Sequence, residues 1–163
     1  MHAGFRHLRY GLKRLEPADR RHSRPAQRAA AMELEAALGP DWTLRSRSHS
    51  RGMVACAAGN PPLTRLGIDI ELANPARPWR EIAAIYLPDA EAAALDTAAF
   101  CRLWTFGEAH FKAFGAVPSA ELLTRCARLP PPDDEPIALS ARRWWWSEPV
   151  DTFWLSLVWE EAL

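Results

Sequence analysis

LTRLGIDIELANPARPWR, residues 63–80, places Asp69 and Glu71 two residues apart inside an apolar run of Leu66, Ile68, Ile70 and Leu72. Residues i and i+2 of a β-strand point to one face, so this alternation predicts a strand over Leu66–Leu72. The four aliphatic side chains share one face and the two carboxylates the other. ANPARP then breaks the strand. Two neighbouring carboxylates on a largely apolar strand repel each other unless a positive group lies between them or water covers them both.

Upstream, SRPAQRAAAMELEAALGP reads as a helix, with Pro25 in its first turn and Gly39-Pro40 as its stop. The helix starts at Ser23 or Arg24, just before that proline; Leu34, Ala37 and Leu38 are expected to pack, and Arg24 and Arg28 share a side one turn apart. DWTLRSRSHSRGMVACAAG reads as two short strands around a tight turn at Ser50-Arg51-Gly52. Residues 1–20 suit an opening strand or loop. Downstream, WREIAAIYLPDAEAAAL holds one helix that ends before Pro88 and the start of another. AAFCRLWTFGEAHFKAFG gives the clearest helix, with Leu103, Phe106, His110 and Phe114 near helical spacing and Gly115 at its end. PPPDDEP is a loop, and RRWWWSEPVDTFWLSLVWEE reads as a hairpin turning at Ser147-Glu148-Pro149. No repeat stands out at a fixed period. Helices and strands mix without a βαβ rhythm, which predicts an α+β fold.

A chain of 163 residues with 48% hydrophobic and 25% charged residues fits one domain or two small lobes sharing a core. No apolar run is long enough for a transmembrane helix, and MHAGFRHLRYGLKRL is not apolar enough for a signal peptide. Cys56, Cys101 and Cys126 are scattered, without Cys-x-x-Cys spacing, which suits a reduced, cytoplasmic setting. Net charge is zero, yet residues 1–51 hold 11 basic against 5 acidic residues, and residues 52–163 hold 9 against 15. A basic first part is either a solvated face or a surface for an anionic partner. No nucleic-acid motif is present, so a phosphate-bearing ligand is the preferred anion. Of the 20 basic residues only Lys13 and Lys112 are lysines; such a chain keeps lysine where a compact ammonium is useful.

Glu108 and Lys112 lie four residues apart and share a helix face. As a surface ion pair they contribute about 0.3–0.5 kcal/mol. Alternatively Asp69, Glu71 and Glu108 converge as oxygen ligands of one hard cation. Magnesium is the natural one, since it combines a few carboxylates with waters and phosphate oxygens. Lys112 would then neutralise a bound diphosphate. Ser48, His49 and Ser50 form a run of small donors before Gly52, next to Arg45, Arg47 and Arg51. They make either a capped turn or a phosphate contact. Trp144, Trp145 and Trp146 cannot all face one side of a strand, so one of them is core-distal: packed under other elements or open to a partner.

Taken in order, SRSHS, GIDIE and WTFGEAHFKAFG resemble the 4′-phosphopantetheinyl transferase superfamily, in its two-lobed type that activates carrier proteins. The strand motif is matched at Gly67, Ile68, Asp69 and Glu71, and the helix motif at Trp104, Thr105, Glu108, Ala109 and Lys112. The Ser-His-Ser segment is matched at Ser48, His49 and Ser50, and YLPDAEAAAL resembles the family's intervening segment, with Glu91 at its acidic position. The resemblance spans roughly residues 20–160. It departs at Gly107, where the family usually has lysine, at Arg47, where an apolar residue is usual, and in a shortened first lobe without a Gly-Lys-Pro turn.

The resemblance implies two unequal, pseudo-related α/β lobes, residues 1–66 and 67–163, with the ligand in the cleft between them. It implies an enzyme that moves 4′-phosphopantetheine from coenzyme A to a serine of an acyl or peptidyl carrier protein. Asp69, Glu71 and Glu108 would hold Mg²⁺, and Glu108 would also act as base. Lys112 would hold the diphosphate. Ser48, His49 and Arg28 would bind coenzyme A, with His49 at its 3′-phosphate. Gly107 and the short first lobe raise the alternative of an adaptor that binds coenzyme A or carrier without turnover. No membrane or nucleic-acid partner is implied; a monomer is expected, with a dimer as the alternative.

Overall fold

In the computed structural model, residues 6–16, 24–130 and 135–163 are described. Expectations that fall on residues 1–5, 17–23 (Ser23 as a helix start among them) and 131–134 of the PPPDDEP loop lie outside the described residues. The architecture is α+β, with five helices and two antiparallel sheets among the described residues. The first sheet has strand order β1-β3-β2, built from β1 Leu8–Arg14, β2 Leu44–Ser50 and β3 Met53–Gly59. Helix α1, Arg24–Leu38, joins β1 to β2 and packs on β3. The second sheet has order β4-β7-β6-β5, from β4 Leu63–Leu72, β5 Ile137–Ala138, β6 Arg143–Val150 and β7 Phe153–Glu161. Between β4 and β5 come α2 Trp79–Tyr86, α3 Asp89–Ala94, α4 Thr97–Phe114 and α5 Ala120–Arg128. Among the described residues no helix is long and apolar enough to cross a membrane.

One topology occurs twice. A strand is followed by a helix and then a hairpin, and the first strand pairs antiparallel with the hairpin's second strand, which takes the middle of the sheet. β1, α1, β2 and β3 make one copy; β4, α4, β6 and β7 make the other. The repeat is in the chain path and not in residue spacing. β4 begins at Leu63, ahead of the expected 66/67 junction.

Ile68 and Ile70 are fully buried on one face of β4, in a cluster with Met53, Ala55 and Ala57 of β3 and Leu155 and Leu157 of β7. Each such side chain contributes about 1.5–3 kcal/mol by leaving water. The opposite face is also covered, so water is not what covers Asp69, which is only 7% exposed. Gly67 explains the cover. A Cβ at Gly67 would lie 2.0 Å from the Ala109 carbonyl oxygen, so only glycine lets α4 lie this close on β4.

Helix α4 follows its local code. The Asp96 side chain caps it by accepting from the Ala99 N–H at 2.7 Å, and Gly115 ends it with φ of 71°. Leu103, Phe106 and His110 are buried as the spacing predicts. Thr105, fully buried, shares a 2.8 Å hydrogen bond with Ser156, to which Trp145 Nε1 donates at 3.3 Å. These contacts tie α4 to β7 and β6.

Two readings are corrected. The second hairpin turns at Asp151-Thr152, not at Ser147-Glu148-Pro149; Asp151 takes φ of 57°, and Pro149 lies within β6, paired with Trp154. β5 reaches only Trp144 and Trp145, so at Pro149 β6 is an edge strand and the missing N–H costs no ladder bond. On α1 the inward residues are Ala30 and Ala31, with Leu34 and Leu38 beside them, while Ala37 is exposed. Helix α5 was not read from the sequence; Ser119 caps it. The tryptophan run is resolved by a sheet buried on both faces: Trp145 enters the helix-side core and Trp146 the core between the sheets, with Trp144 half-buried. The β2–β3 turn falls where expected, with Arg51 and Gly52 both at positive φ, 45° and 87°.

Candidate functional site

β2 and β4, one from each sheet, run side by side without a shared backbone ladder. Alternate serines of β2 make the connection. The Ile68 N–H donates to Ser46 Oγ at 3.0 Å, Ser48 Oγ donates to Asp69 Oδ1 at 2.6 Å, and Ser50 Oγ donates to Glu71 Oε1 at 2.6 Å. The strand period of two that aims these serines at β4 leaves Arg45, Arg47 and His49 exposed.

Positive groups do lie beside the paired carboxylates. Lys112 Nζ donates to Asp69 Oδ1 at 2.7 Å and to the Ile68 carbonyl at 3.0 Å. The Arg77 guanidinium is 3.5 Å from Glu71 Oε2 and stacks 4.8 Å over the Trp104 ring. Burial lifts the Asp69 carboxyl above its ordinary range against the pull of Lys112 and Ser48. The Glu108 carboxyl is also raised, by burial first and then by the charge of Asp69, with Glu71 adding and Lys112 and Arg77 opposing. Glu108 makes no hydrogen bond or ion pair among the described residues. The i, i+4 pairing of Glu108 with Lys112 is thus replaced by a longer-range one: Lys112 reaches across to β4.

Asp69, Glu71 and Glu108 therefore sit within electrostatic reach of one another. Among the described residues no group of three or more His, Cys, Asp or Glu side chains is placed so that it could hold a metal ion. By chemical type alone, carboxylate oxygens are the donors that a hard divalent cation takes. Asp69 Oδ2 and both Glu108 oxygens accept no hydrogen bond among the described residues, and three carboxylates face two cations. Magnesium characteristically takes a few such oxygens and completes its shell with water and phosphate.

Beside this cluster opens a cleft of about 620 Å³ lined by Arg24, Gln27, Arg28, Arg47, His49 and Lys112, together with Ser48. Its charged lining is wholly basic. Arg28 and His49 are brought together here as expected, and Arg47 faces the same space. Glu108 itself lines a second, smaller and mostly apolar pocket of about 80 Å³, together with Tyr86, Leu103, Trp104, Gly107 and Leu123. Gly107 has open space where a side chain would begin. Glu91, the motif's acidic position, pairs with Arg128 on α5 instead of facing the cluster.

Arg24, Arg47 and Arg77 were absent from the sequence-derived set. Arg24 and Arg47 carried a signal, one sharing a helix side with Arg28 and the other alternating with the serines; Arg77, in the loop after β4, carried none. The three cysteines are free and buried, and burial pushes each thiol up to about 11, so none is a ready nucleophile.

A comparison with protein-family models gave no match, and neither did one with the curated proteins.

Proposed function

We propose that this protein transfers 4′-phosphopantetheine from coenzyme A to a serine of an acyl or peptidyl carrier protein, within the two-lobed fold of that transferase superfamily. The observation that carries the reading is the joining of two unlike regions at Lys112. A wholly basic cleft meets a cluster of carboxylates there. That is what a ligand with a phosphorylated nucleotide at one end and a reacting diphosphate at the other needs.

In this reading Arg24, Arg28, Arg47 and His49 receive the phosphates of the nucleotide. Lys112 neutralises charge on the diphosphate, and Asp69, Glu71 and Glu108 would hold Mg²⁺. The cation supplies further charge neutralisation on the diphosphate oxygens. Glu108, unbonded and raised above its ordinary range, takes the proton of the carrier serine. The serine Oγ–P bond forms at the β-phosphorus, the P–O bond to the nucleotide breaks, and adenosine 3′,5′-bisphosphate departs. Phosphoryl-type transfer depends mostly on positioning and charge neutralisation, which these groups provide. Such substrates suit a cytoplasmic setting.

The test mixes the protein with coenzyme A, Mg²⁺ and a broad panel of apo carrier proteins and reads the carrier mass. Phosphopantetheine addition is expected; no addition to any carrier counts against transfer. Asp69→Ala and Glu108→Ala should each abolish it. Gly107 and the absence of a ready-made three-ligand cage favour a second reading, an adaptor. Calorimetry separates the two: coenzyme A binding without turnover on any carrier belongs to the adaptor.

A further inference from the structure

We infer that Ser48 and Ser50 are positioning residues that aim the carboxylates of Asp69 and Glu71, and that Ser48 is not a phosphate donor. The inference rests on the reading of Asp69, Glu71 and Glu108 as a divalent-cation site. Each serine holds one oxygen of its carboxylate. Ser48 Oγ donates to Asp69 Oδ1 at 2.6 Å, and Lys112 Nζ takes the same oxygen at 2.7 Å. Ser50 Oγ donates to Glu71 Oε1 at 2.6 Å, and the Leu72 N–H takes the same oxygen at 3.1 Å. In both carboxylates the bonding is one-sided. Asp69 Oδ2 is left without a hydrogen bond among the described residues, and Glu71 Oε2 has only the Arg77 guanidinium, at 3.5 Å.

A carboxylate held by one oxygen has lost its rotation, and its second oxygen is fixed in direction. Two such carboxylates, two residues apart on one strand face, present two oxygens of set direction. The serines come from the other sheet, so the grip also sets how β2 lies against β4. Groups that orient metal-ligating carboxylates characteristically matter nearly as much as the ligands.

The same geometry bears on Ser48 and phosphate. A serine hydroxyl has one hydrogen to donate. Ser48 lines the basic cleft, but its hydrogen goes to Asp69, whose oxygen also accepts from the Lys112 ammonium. A phosphate offers acceptors, so Ser48 has nothing to give it. His49, exposed on the same cleft, is free of this constraint.

The test uses the full chain and two readouts that need no turnover. Mn²⁺ binding is followed by electron paramagnetic resonance and Mg²⁺ binding by calorimetry, for the wild type, Ser48→Ala, Ser50→Ala and Ser48→Thr. Each alanine variant should bind the cation about tenfold or more weakly, and Ser48→Thr, which keeps the hydroxyl, should stay close to the wild type. Binding of adenosine 3′,5′-bisphosphate in chelator is measured alongside and should be unchanged by Ser48→Ala. Should an alanine variant fail to fold, Ser48→Cys, with its weak donor and similar shape, replaces it and should show the same loss. Wild-type affinity in the alanine variants overturns the positioning role alone. Weakened bisphosphate binding by Ser48→Ala overturns the assignment of Ser48 away from phosphate. A wild-type protein that binds neither Mn²⁺ nor Mg²⁺ overturns this inference together with the metal part of the proposed function, while leaving the basic cleft to be tested by the bisphosphate.

Discussion

The two copies of the strand–helix–hairpin unit share a chain path but are filled with different materials. β3, the central strand of the first sheet, runs Met-Val-Ala-Cys-Ala-Ala-Gly and is buried throughout. Its small residues let α1 approach on one side and the second sheet on the other. The middle of the second sheet is packed instead with Trp145, Leu155, Leu157, Val158 and Trp159. Burial of apolar area scales with side-chain size, so the second unit supplies most of the hydrophobic stabilisation. The first is a thin layer that leans on it and contributes polar groups: serines to the carboxylates, arginines and a histidine to the cleft. The repeated topology thus carries most of the apolar packing in one copy and most of the basic cleft lining in the other, with Lys112 of the second unit as the exception.

The comparison breaks most visibly at Trp145. It lies 4.8 Å from the Phe106 ring, with the Arg102 guanidinium 5.2 Å away. Trp145→Ala should cost roughly 3–5 kcal/mol in denaturant unfolding. Because the first unit has no comparable core, both units should melt together; a first unit that stays folded in this variant would contradict its dependence on the second. Next comes Gly67→Ala, which adds a single methyl group. The 2.0 Å approach to the Ala109 carbonyl means α4 must move off β4, at about 1–3 kcal/mol or more. Displacing α4 also takes Lys112 away from Asp69. Urea midpoints read the first effect and loss of any divalent-cation affinity the second.

Local structure was legible in the sequence where one residue's chemistry decides it. The period-two pattern of Leu66–Leu72, the stop at Gly39, the turn at Arg51-Gly52 and the cap at Gly115 all stand where expected. What was not legible depends on partners distant in sequence. Alternation put both carboxylates on one strand face and left open whether water or a positive group covers them; nothing in GIDIE says that Gly67 is there to admit a helix. Ser-His-Ser looked like donors for a ligand; that two of its hydroxyls bond β4 follows from a meeting of sheets that spacing does not encode. The hairpin turn was missed because Ser-Glu-Pro carries stronger turn chemistry than Asp-Thr, and only the edge position of β6 makes Pro149 tolerable within a strand.

Smaller changes sharpen the same contrast. Tyr10 of the first unit donates to Glu148 Oε1 of the second at 2.7 Å. Tyr10→Phe should cost about 1 kcal/mol, read as a shift in the unfolding midpoint, by removing a bond between the units while keeping the ring against Trp146. Gly107 is the opposite case to Gly67, a helical glycine beside the apolar pocket with nothing within 4 Å of a Cβ. Gly107→Ala should therefore stabilise, by about 0.5–1 kcal/mol. Equal costs for alanine at positions 67 and 107 would show that close helix–strand approach is not what Gly67 provides.

The smallest effect is a pH dependence, because Glu108 is only partly shielded from water. Burial and the charge of Asp69 raise its carboxyl above the ordinary value of 4.5. Above that value the unfolded chain has released the proton while the folded chain still tends to keep it. Folding then binds protons, and stability falls as pH rises through this window and stays lower beyond it. Glu108→Gln removes the penalty. Its melting temperature in chelator should match the wild type below pH 4.5 and exceed it above, with the gap widening as pH climbs. If the proposed cation site exists, a divalent cation would neutralise the same repulsion and bind only the folded chain, so adding Mg²⁺ should lift the wild type toward the variant and leave the variant nearly unmoved. A gap that opens only toward acid would place Glu108 in a stabilising ion pair, and its role as an unbonded carboxylate facing Asp69 would be lost.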